Sequence, residues 1–443
     1  MLIRFDAIGY EELGRMLYMR GWVEYFTTGP QREPFYPMTI AVSMALGDFF
    51  TVFYQTFQKF IQIALLGLTQ LFCLILLNRL QIKGPWKWLT LFYVGVSPAI
   101  VNSAFSLFSE IVVLPFILMI IYANVEAWRS LYIGSMRSLI TGSLLTAMAF
   151  LLATFGKGVF LYVFYVFLIP YICLAWRAFT KGSRRLCVRT MLFIIITFMI
   201  VQIPIWAYKS ANRKYNGYFE FTNRADQLLY GNTYKRTADI PWDIFGAHIA
   251  SIPGTGVCRK FFKEEGCRYA EFRQADGSRG DLTGLLQGVP PEKEKAEVLR
   301  FTFQRFLRKP GQYFVLTLIE SVRMPFWESS RIGFVAYPDW LNTIFTSGVF
   351  NQGIRLLVSL LSVFALFYLI REVGRTGRRR FRVDAAPEDK DLVLFFALLL
   401  IIAYTAFYSL FSIIPRYGIV IAPVYLLSIA YAGQQITRRV AKP

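Results

Sequence analysis

The sequence predicts an all-α polytopic membrane protein, and three features support that prediction. Hydrophobic residues make up 55% of the 443 residues, and aromatic residues make up 17%. Charged residues also make up only 17%, whereas a soluble domain carries roughly a quarter. Apolar runs long enough to cross a bilayer recur along the chain. The composition therefore excludes a soluble globular protein.

Nine apolar runs have membrane-spanning length, and one large polar insert interrupts them. The insert covers about 209–349 and separates the sixth run from the seventh. The chain therefore divides into a first loop with juxtamembrane helices (1–53), a six-span region (54–208), the insert (209–349) and a three-span C-terminal region (350–443). The runs lie at about 54–78, 88–105, 109–127, 137–155, 158–176, 190–208, 350–370, 391–411 and 417–435.

Lys and Arg in the connecting loops predict the orientation of these spans. The loops after the first, third, fifth and seventh spans, together with the tail, contain twenty basic residues. The short loops on the other side contain two, Lys157 and Arg416. Because basic loops mark the cytoplasmic side, the C-terminus is predicted to be cytoplasmic, with 1–53 and the insert on the outer face. This asymmetry accounts for the net charge of +20, so we expect no nucleic-acid partner.

The first segment, "MLIRFDAIGYEELGRML", lies outside the membrane in this topology. Neither a signal peptide nor an anchoring span precedes it in the sequence. Translocating such a segment without an anchor is unfavourable, so we expect a further N-terminal span that is missing from this chain. That span would be the tenth.

The exceptional charged residues lie at the outer ends of the spans, whereas the central stretches lack Asp, Glu, Lys and Arg. Each has an ordinary interpretation by itself, such as a snorkelling cation, a helix cap or an interfacial anchor. Their shared depth and side instead predict a site at the outer membrane–water boundary, reached by lipid from the side. The residues are Asp6, Glu11, Arg32, Glu33, Glu110, Lys157, Arg213 and Arg416.

The stretch "GPQREPFYPMTIA" (29–41) places charge and three prolines directly before an apolar run. That run, 35–46, is too short to cross a bilayer. We interpret the stretch as an interfacial elbow in which the prolines fix the chain direction and Arg32 faces the lipid head groups.

Cysteine and histidine offer few sites for metal or redox chemistry. Cys258 and Cys267 lie close together in the insert and form a disulfide if the insert faces an oxidising compartment. The single histidine, His248, stands alone and is interpreted as structural. No metal-binding cluster is visible, although a divalent ion held by Asp6 and Glu110 together with phosphate oxygens stays possible.

Several stretches, taken in order, resemble one family of membrane enzymes. These are "REPFYP" before the first span, an "SE" hairpin at 109–110, "IPIWAYKSANRKYNGYFEFTNRADQLLYGNT" after the sixth span and "PRYGIVIAP" at the start of the last. Together they resemble the polytopic GT-C glycosyltransferases of the protein-mannosyltransferase and aminoarabinose-transferase type. The chain departs from the family at "REPFYP", where "RPPGYP"-like versions are common, at Lys157, where Arg is frequent, and in its missing first span.

The resemblance implies a membrane glycosyltransferase of the bacterial inner membrane, with its site on the periplasmic face. Such an enzyme moves a sugar from a polyprenyl-phosphate carrier to a glycan, lipid or protein acceptor, usually with inversion. The donor sugar stays open.

Displacing a polyprenyl phosphate requires a base for the acceptor's proton and fixed cations for the departing phosphate. We expect Asp6 to be the base and Arg32, Lys157, Arg213 and Arg416 to bind the phosphate. The expected acceptor-binding or supporting residues are Tyr10, Glu33, Tyr36, Glu110 and Tyr417.

Three other functions fit the same sequence. A non-enzymatic lipid-carrier transporter or flippase predicts a polar pathway at the midplane of the membrane. A ligase or polymerase of envelope glycans predicts a diphosphate-linked donor. A family member without activity would serve as a scaffold.

Overall fold

The computed structural model describes residues 3, 6–29, 32–222, 225–271, 278–329, 335–380, 383–411 and 415–441. Helices account for the regular secondary structure in these ranges, which contain no strand. Eight of the described helices are long and apolar enough to span a membrane, or nine if one bent pair is a single span. The chain is therefore an all-α polytopic membrane protein, as predicted.

Two helices precede the membrane region. Helix α1 (Asp6–Thr27) begins with an acidic residue in its first turn, where the helix dipole favours negative charge. Helix α2 (Phe35–Phe50) starts directly after Pro34 and packs against α1. It is apolar but has only 16 residues, in agreement with the prediction of a run too short to cross.

The next seven helices form the first membrane region. The second predicted span is bent by 42° between α4 and α5, at Ser97 and Pro98. Proline excludes the helical conformation from the residue before it, which explains the break at this position. The helices are α3 (Tyr54–Arg79), α4 (Pro85–Val96), α5 (Pro98–Phe105), α6 (Glu110–Ile133), α7 (Met136–Gly156), α8 (Phe160–Thr180) and α9 (Arg184–Asn216).

The insert consists of eight short helices and a 3-10 turn, Met324–Ser329, in its described part. Helix α9 extends to Asn216, eight residues past the predicted end of the sixth span, so the insert begins on the end of a membrane helix. The helices are α10 (Ala225–Thr237), α11 (Trp242–Ala250), α12 (Thr255–Phe261), α13 (Glu264–Glu271), α14 (Ser278–Leu285), α15 (Pro291–Arg308), α16 (Pro310–Ser321) and α17 (Asp339–Thr346).

A π-helical turn, Val349–Ile354, leads into the C-terminal membrane region. The last predicted span is interrupted near its start by a 3-10 turn, Ile419–Ile421. The helices are α18 (Arg355–Arg380), α19 (Asp389–Phe411), α20 (Pro415–Gly418) and α21 (Ala422–Val440).

Helix α6 forms the centre of the membrane region, because nearly all of its residues are buried and it contacts α3, α7 and α19. Helix α7 follows α6 after a two-residue link and packs along it. Gly142 permits this packing, since a Cβ there would lie 3.1 Å from the Ala127 Cα. The start of α6 and the end of α7 consequently lie at the same face, which brings Glu110 close to Lys157.

Candidate functional site at the helix ends

A cavity of about 190 Å³ opens where the ends of several membrane helices meet α1 and the insert. Its walls come from parts of the chain that are far apart in sequence. They are the start of α1, residues 32–33, residues 157–162, the end of α9, residues 220–222, Leu228, the end of α19 and α20.

Five charged side chains of alternating sign run along one edge of this cavity. Arg32 donates to Asp6 Oδ1 at 2.8 Å, and Arg416 Nη1 donates to Asp6 Oδ2 at 3.0 Å. Arg416 Nε also donates to Glu110 Oε1 at 2.8 Å. Lys157 Nζ donates to the same Glu110 oxygen at 3.3 Å. This series holds three cations and two carboxylates; with Lys209, Glu33 and Glu220, which also line the cavity, positive and negative charges balance.

Glu110 lies beneath the cavity, where it supports two of these cations without lining the wall. Its side chain is fully buried, and Lys157 is nearly so. Burial alone would lower the pKa of the Lys157 ammonium, but the Glu110 carboxylate raises it above its ordinary value. Lys157 therefore remains a cation in the cavity wall.

Each of the three cations also lies over an aromatic ring. The Arg32 guanidinium is 5.0 Å from the centre of the Tyr10 ring. Arg416 is 4.3 Å from the Phe108 ring, and Lys157 Nζ is 5.8 Å from the Tyr417 ring. Such contacts favour the cation and restrict its orientation, so the positive groups are held in place before any ligand binds.

Backbone packing fixes the position of Arg416. Helix α20 presses against the turn Met324–Ser329, and Gly418 is the contact point. A Cβ at Gly418 would lie 2.2 Å from the Met324 carbonyl oxygen, so only glycine permits this approach. The short helix is thereby held with Arg416 directed into the cavity.

Glu33 connects the elbow before α2 to the end of α7. Its carboxylate accepts a hydrogen bond from the Gly158 N–H at 2.9 Å and lines the cavity. Lys157 caps the C-terminus of α7, so the contact fixes the chain immediately beside it. The "REPFYP" elbow therefore supplies one cation, Arg32, and one structural carboxylate.

Part of the cavity wall is apolar. Val159, Leu161 and Tyr162, around the start of α8, line it together with Leu228 and Phe411. The rings of Tyr408 and Tyr417 also line the cavity and contact each other, with centres 4.6 Å apart and planes inclined by 35°. The cavity thus presents charge and apolar surface side by side, as a charged group on a hydrocarbon chain requires.

Most of the site residues predicted from the sequence line this cavity. Asp6, Arg32, Lys157 and Arg416 do so, as do three of the five residues predicted for the acceptor or for support. Two of those five lie outside the lining. Glu110 lies below the wall, and Tyr36 is buried, where its hydroxyl donates to the Ser106 carbonyl and accepts from Gln62. The three lining residues are Tyr10, Glu33 and Tyr417.

Arg213 is exposed and outside the cavity lining, contrary to its predicted place. Lys209, one helical turn earlier on α9, lines the cavity instead. Glu220, which pairs with Lys295 of α15, was also missed, as was Tyr408. The polar, charged stretch 209–220 was the available signal that this end of α9 carries site residues, whereas Tyr408 lies within an apolar run and offered none.

No group of three or more His, Cys, Asp or Glu side chains that would hold a metal ion occurs in the described ranges. Asp6 and Glu110, the suggested metal-binding pair, are joined through Arg416.

A second set of charged residues is buried inside the insert, away from the cavity. Glu320 accepts from Lys235 at 3.2 Å and from the Arg236 guanidinium. Burial lowers the pKa of Lys235 to about 8 and that of His248 to about 4. His248 therefore lies neutral within a structural cluster.

Nearby, Cys258 and Cys267 are joined by a disulfide that connects α12 to α13.

No protein-family model matches the chain, and no curated protein matches it.

Proposed function

We propose that the protein is a membrane glycosyltransferase of the GT-C type. It moves a sugar from a polyprenyl-phosphate carrier to an acceptor at the outer face of the membrane, with inversion at the anomeric carbon. The observation that carries the proposal is the convergence of Asp6, Arg32, Lys157 and Arg416 in one cavity with an apolar wall. Those side chains come from the two ends of the chain and from its middle.

The cations suit the charge change of this reaction. The donor is a phosphodiester with one negative charge, and its cleavage leaves a monoester whose second ionisation has a pKa near 6. Negative charge therefore grows on the phosphate as the bond between the anomeric carbon and its oxygen breaks. Fixed cations such as Arg32 and Arg416 stabilise the transition state more than the bound donor, which is the requirement for catalysis.

In this proposal Asp6 is the base that takes the proton of the acceptor hydroxyl. The acceptor hydroxyl oxygen forms the new bond to the anomeric carbon, its proton passes to Asp6, and the electron pair of the old bond leaves with the phosphate. Two arginines now hold the Asp6 carboxylate, which would weaken it as a base. A donor phosphate that takes over one of these arginines would strengthen the base only when substrate is bound.

The apolar wall supports a lipid-linked donor over a free sugar nucleotide. A hydrocarbon chain leaving the phosphate would pass Tyr162 and continue along α8, where Ile169 and Ile172 are exposed. These positions share one helix face, since residues three, four and seven apart are neighbours on a helix.

The test is sugar transfer by the purified full-length protein from labelled polyprenyl-phosphate sugars. We expect Asp6→Asn to lower turnover by roughly 100-fold or more, as loss of a general base does. Arg416→Ala should also lower it, with a matched loss of donor binding. Asp48→Asn and Arg213→Ala are the controls, because Asp48 and Arg213 are exposed and do not line the cavity.

Sugar transfer by the Asp6→Asn variant at the rate of the unmodified protein would refute the assignment of Asp6 as the base. Movement of the carrier lipid across a bilayer without transfer would favour the transporter. Turnover of only diphosphate-linked donors would favour the glycan ligase or polymerase.

A further inference from the structure

A second cavity, of about 550 Å³, lies at the other end of the α6–α7 hairpin. It is lined by the last turns of α6, the two-residue link and the first turns of α7. Arg129, which lines this cavity, follows Glu110 by 19 residues on α6, which at 1.5 Å each separates the two residues by about 28 Å. The two cavities therefore lie at opposite faces of the membrane, and the second takes no part in the proposed transfer.

The second cavity is basic. Arg129 and Arg137 both line it, against the single carboxylate of Glu126. Arg129 is already paired with two carboxylates, because its Nε lies 3.3 Å from Asp389 Oδ1 and its Nη1 lies 3.8 Å from Glu126 Oε1. Arg137 is exposed at the start of α7 and forms no ion pair with the described residues. One cation of the wall is thus available to a ligand from outside.

The polar groups at the start of α7 already bond one another. The Ser138 N–H donates to Ser135 Oγ at 3.2 Å, and the Ser138 hydroxyl donates to the Ser135 carbonyl at 2.8 Å. At the end of α6, Arg189 is buried and donates to the Ser130 carbonyl at 2.5 Å. Arg137 is therefore the group of this wall that an anion from outside would meet.

An exposed apolar stripe runs along α7, beside the residues of this helix that line the cavity. Met136, Ile140, Leu144 and Met148 follow at intervals of four residues, and all four are exposed. Residues spaced by four lie above one another on a helix. A molecule with its anionic group beside Arg137 would therefore have hydrocarbon contacts along the same helix.

We propose that this cavity binds the phosphodiester head group of an anionic membrane lipid, with Arg137 as the main contact and the acyl chains along α7. Charge complementarity and the adjoining apolar stripe favour a lipid over a free phosphate. Basic pockets between membrane helices are a general means of holding such head groups.

The experiment measures lipid retained by the purified full-length protein, by native mass spectrometry after exchange into detergent with phosphatidylglycerol or phosphatidylcholine. We expect preferential retention of phosphatidylglycerol. Arg137→Gln should reduce it about fivefold, the effect of removing one basic residue at a membrane surface. Arg137→Lys should retain most of it. Lys181→Gln, which removes an exposed charge from the end of α8 at the same face, should leave it unchanged.

An equal loss of bound phosphatidylglycerol from the Arg137→Gln and Lys181→Gln variants would overturn the proposal. Equal retention of phosphatidylglycerol and phosphatidylcholine by the unmodified protein would also overturn it. Displacement of the lipid by glycerol phosphate at equal concentration would also overturn it, because the ligand would then be a free anion. Because Arg137 is exposed, its replacement should leave the melting temperature in the absence of lipid unchanged, and that measurement checks folding.

Discussion

Arg416 joins the two carboxylates of the candidate site. Its Nε faces Glu110, while its Nη1 faces Asp6. Two donors in fixed and different directions are a property of the planar guanidinium, and a lysine ammonium would not hold both contacts in this geometry. One buried carboxylate and one part-exposed carboxylate are thus coupled through a single side chain.

The first prediction concerns Glu110, the fully buried member of this series. Glu110→Gln leaves Lys157 buried without the carboxylate that it pairs with and leaves Arg416 with Asp6 alone; breaking a buried pair in this way costs about 3–5 kcal/mol. We expect a large fall in the melting temperature in detergent. Glu24→Gln, which removes an exposed pair with Arg20, should change the unfolding free energy by less than about 1 kcal/mol. Similar melting of the two variants would contradict this prediction.

The second prediction concerns His248 and acid. Burial lowers the pKa of His248 to about 4 in the folded protein, compared with an ordinary value of 6.5. Between pH 6.5 and pH 4 the unfolded chain takes up a proton that the folded chain does not, so stability falls as the pH falls through this window. The loss reaches about 3 kcal/mol. His248→Asn should flatten this part of the profile of melting temperature against pH, and an unaltered profile would contradict the assignment.

At the scale of elements, the insert holds the end of a membrane helix. Arg236 of α10 is fully buried and donates to the Ser409 carbonyl at 2.5 Å, near the C-terminus of α19. Asn232 donates to the Leu410 carbonyl at 3.1 Å. Carbonyls at a helix end lack partners within the helix, so both side chains act as caps. The capped turn carries Tyr408 and Phe411 into the cavity.

The third prediction is that Arg236 stabilises the end of α19. Arg236→Gln removes the cap at the end of α19 and replaces a charged partner of Glu320 by a neutral amide. Backbone amides at 405–411 should therefore exchange hydrogen faster with solvent. Arg259→Gln breaks an exposed pair with Glu264 in the same insert and is the matched control. Hydrogen exchange followed by mass spectrometry distinguishes the variants. Unchanged exchange at 405–411 would show that α19 does not depend on this contact.

The membrane helices were predictable from sequence because their signal is local. Length and apolar composition located the spans, but the run at 88–105 was predicted as one span, and its bend between α4 and α5 was not predicted. The end of α9 was not predictable in this way, since 209–216 is polar and continues as a helix beyond the apolar run. Hydropathy reports where hydrocarbon contact ends, not where helical hydrogen bonding ends.

At the scale of the whole molecule, the site was predictable in part. Lys157 and Arg416 are the two basic residues in the short loops of the less basic side, so they stood out from the sequence. The choice between Lys209 and Arg213 was not accessible, because both lie at the end of one helix and tertiary packing decides which of them reaches the cavity. The burial of Tyr36 was also not accessible from the sequence, because it depends on contacts with Ser106 and Gln62 far along the chain.

The last prediction concerns the orientation of the whole chain. Two independent features agree on it: the basic residues of the short loops indicate a cytoplasmic tail, and the Cys258–Cys267 disulfide indicates that the insert faces an oxidising compartment. With the three free cysteines replaced by serine, single cysteines at the exposed positions Gln287 and Lys181 should react differently in intact cells. A maleimide that does not cross the membrane in which the protein lies should label Gln287→Cys, and should label Lys181→Cys only after lysis. The reverse pattern would place the charged cavity on the cytoplasmic side, where a periplasmic transfer reaction could not take place.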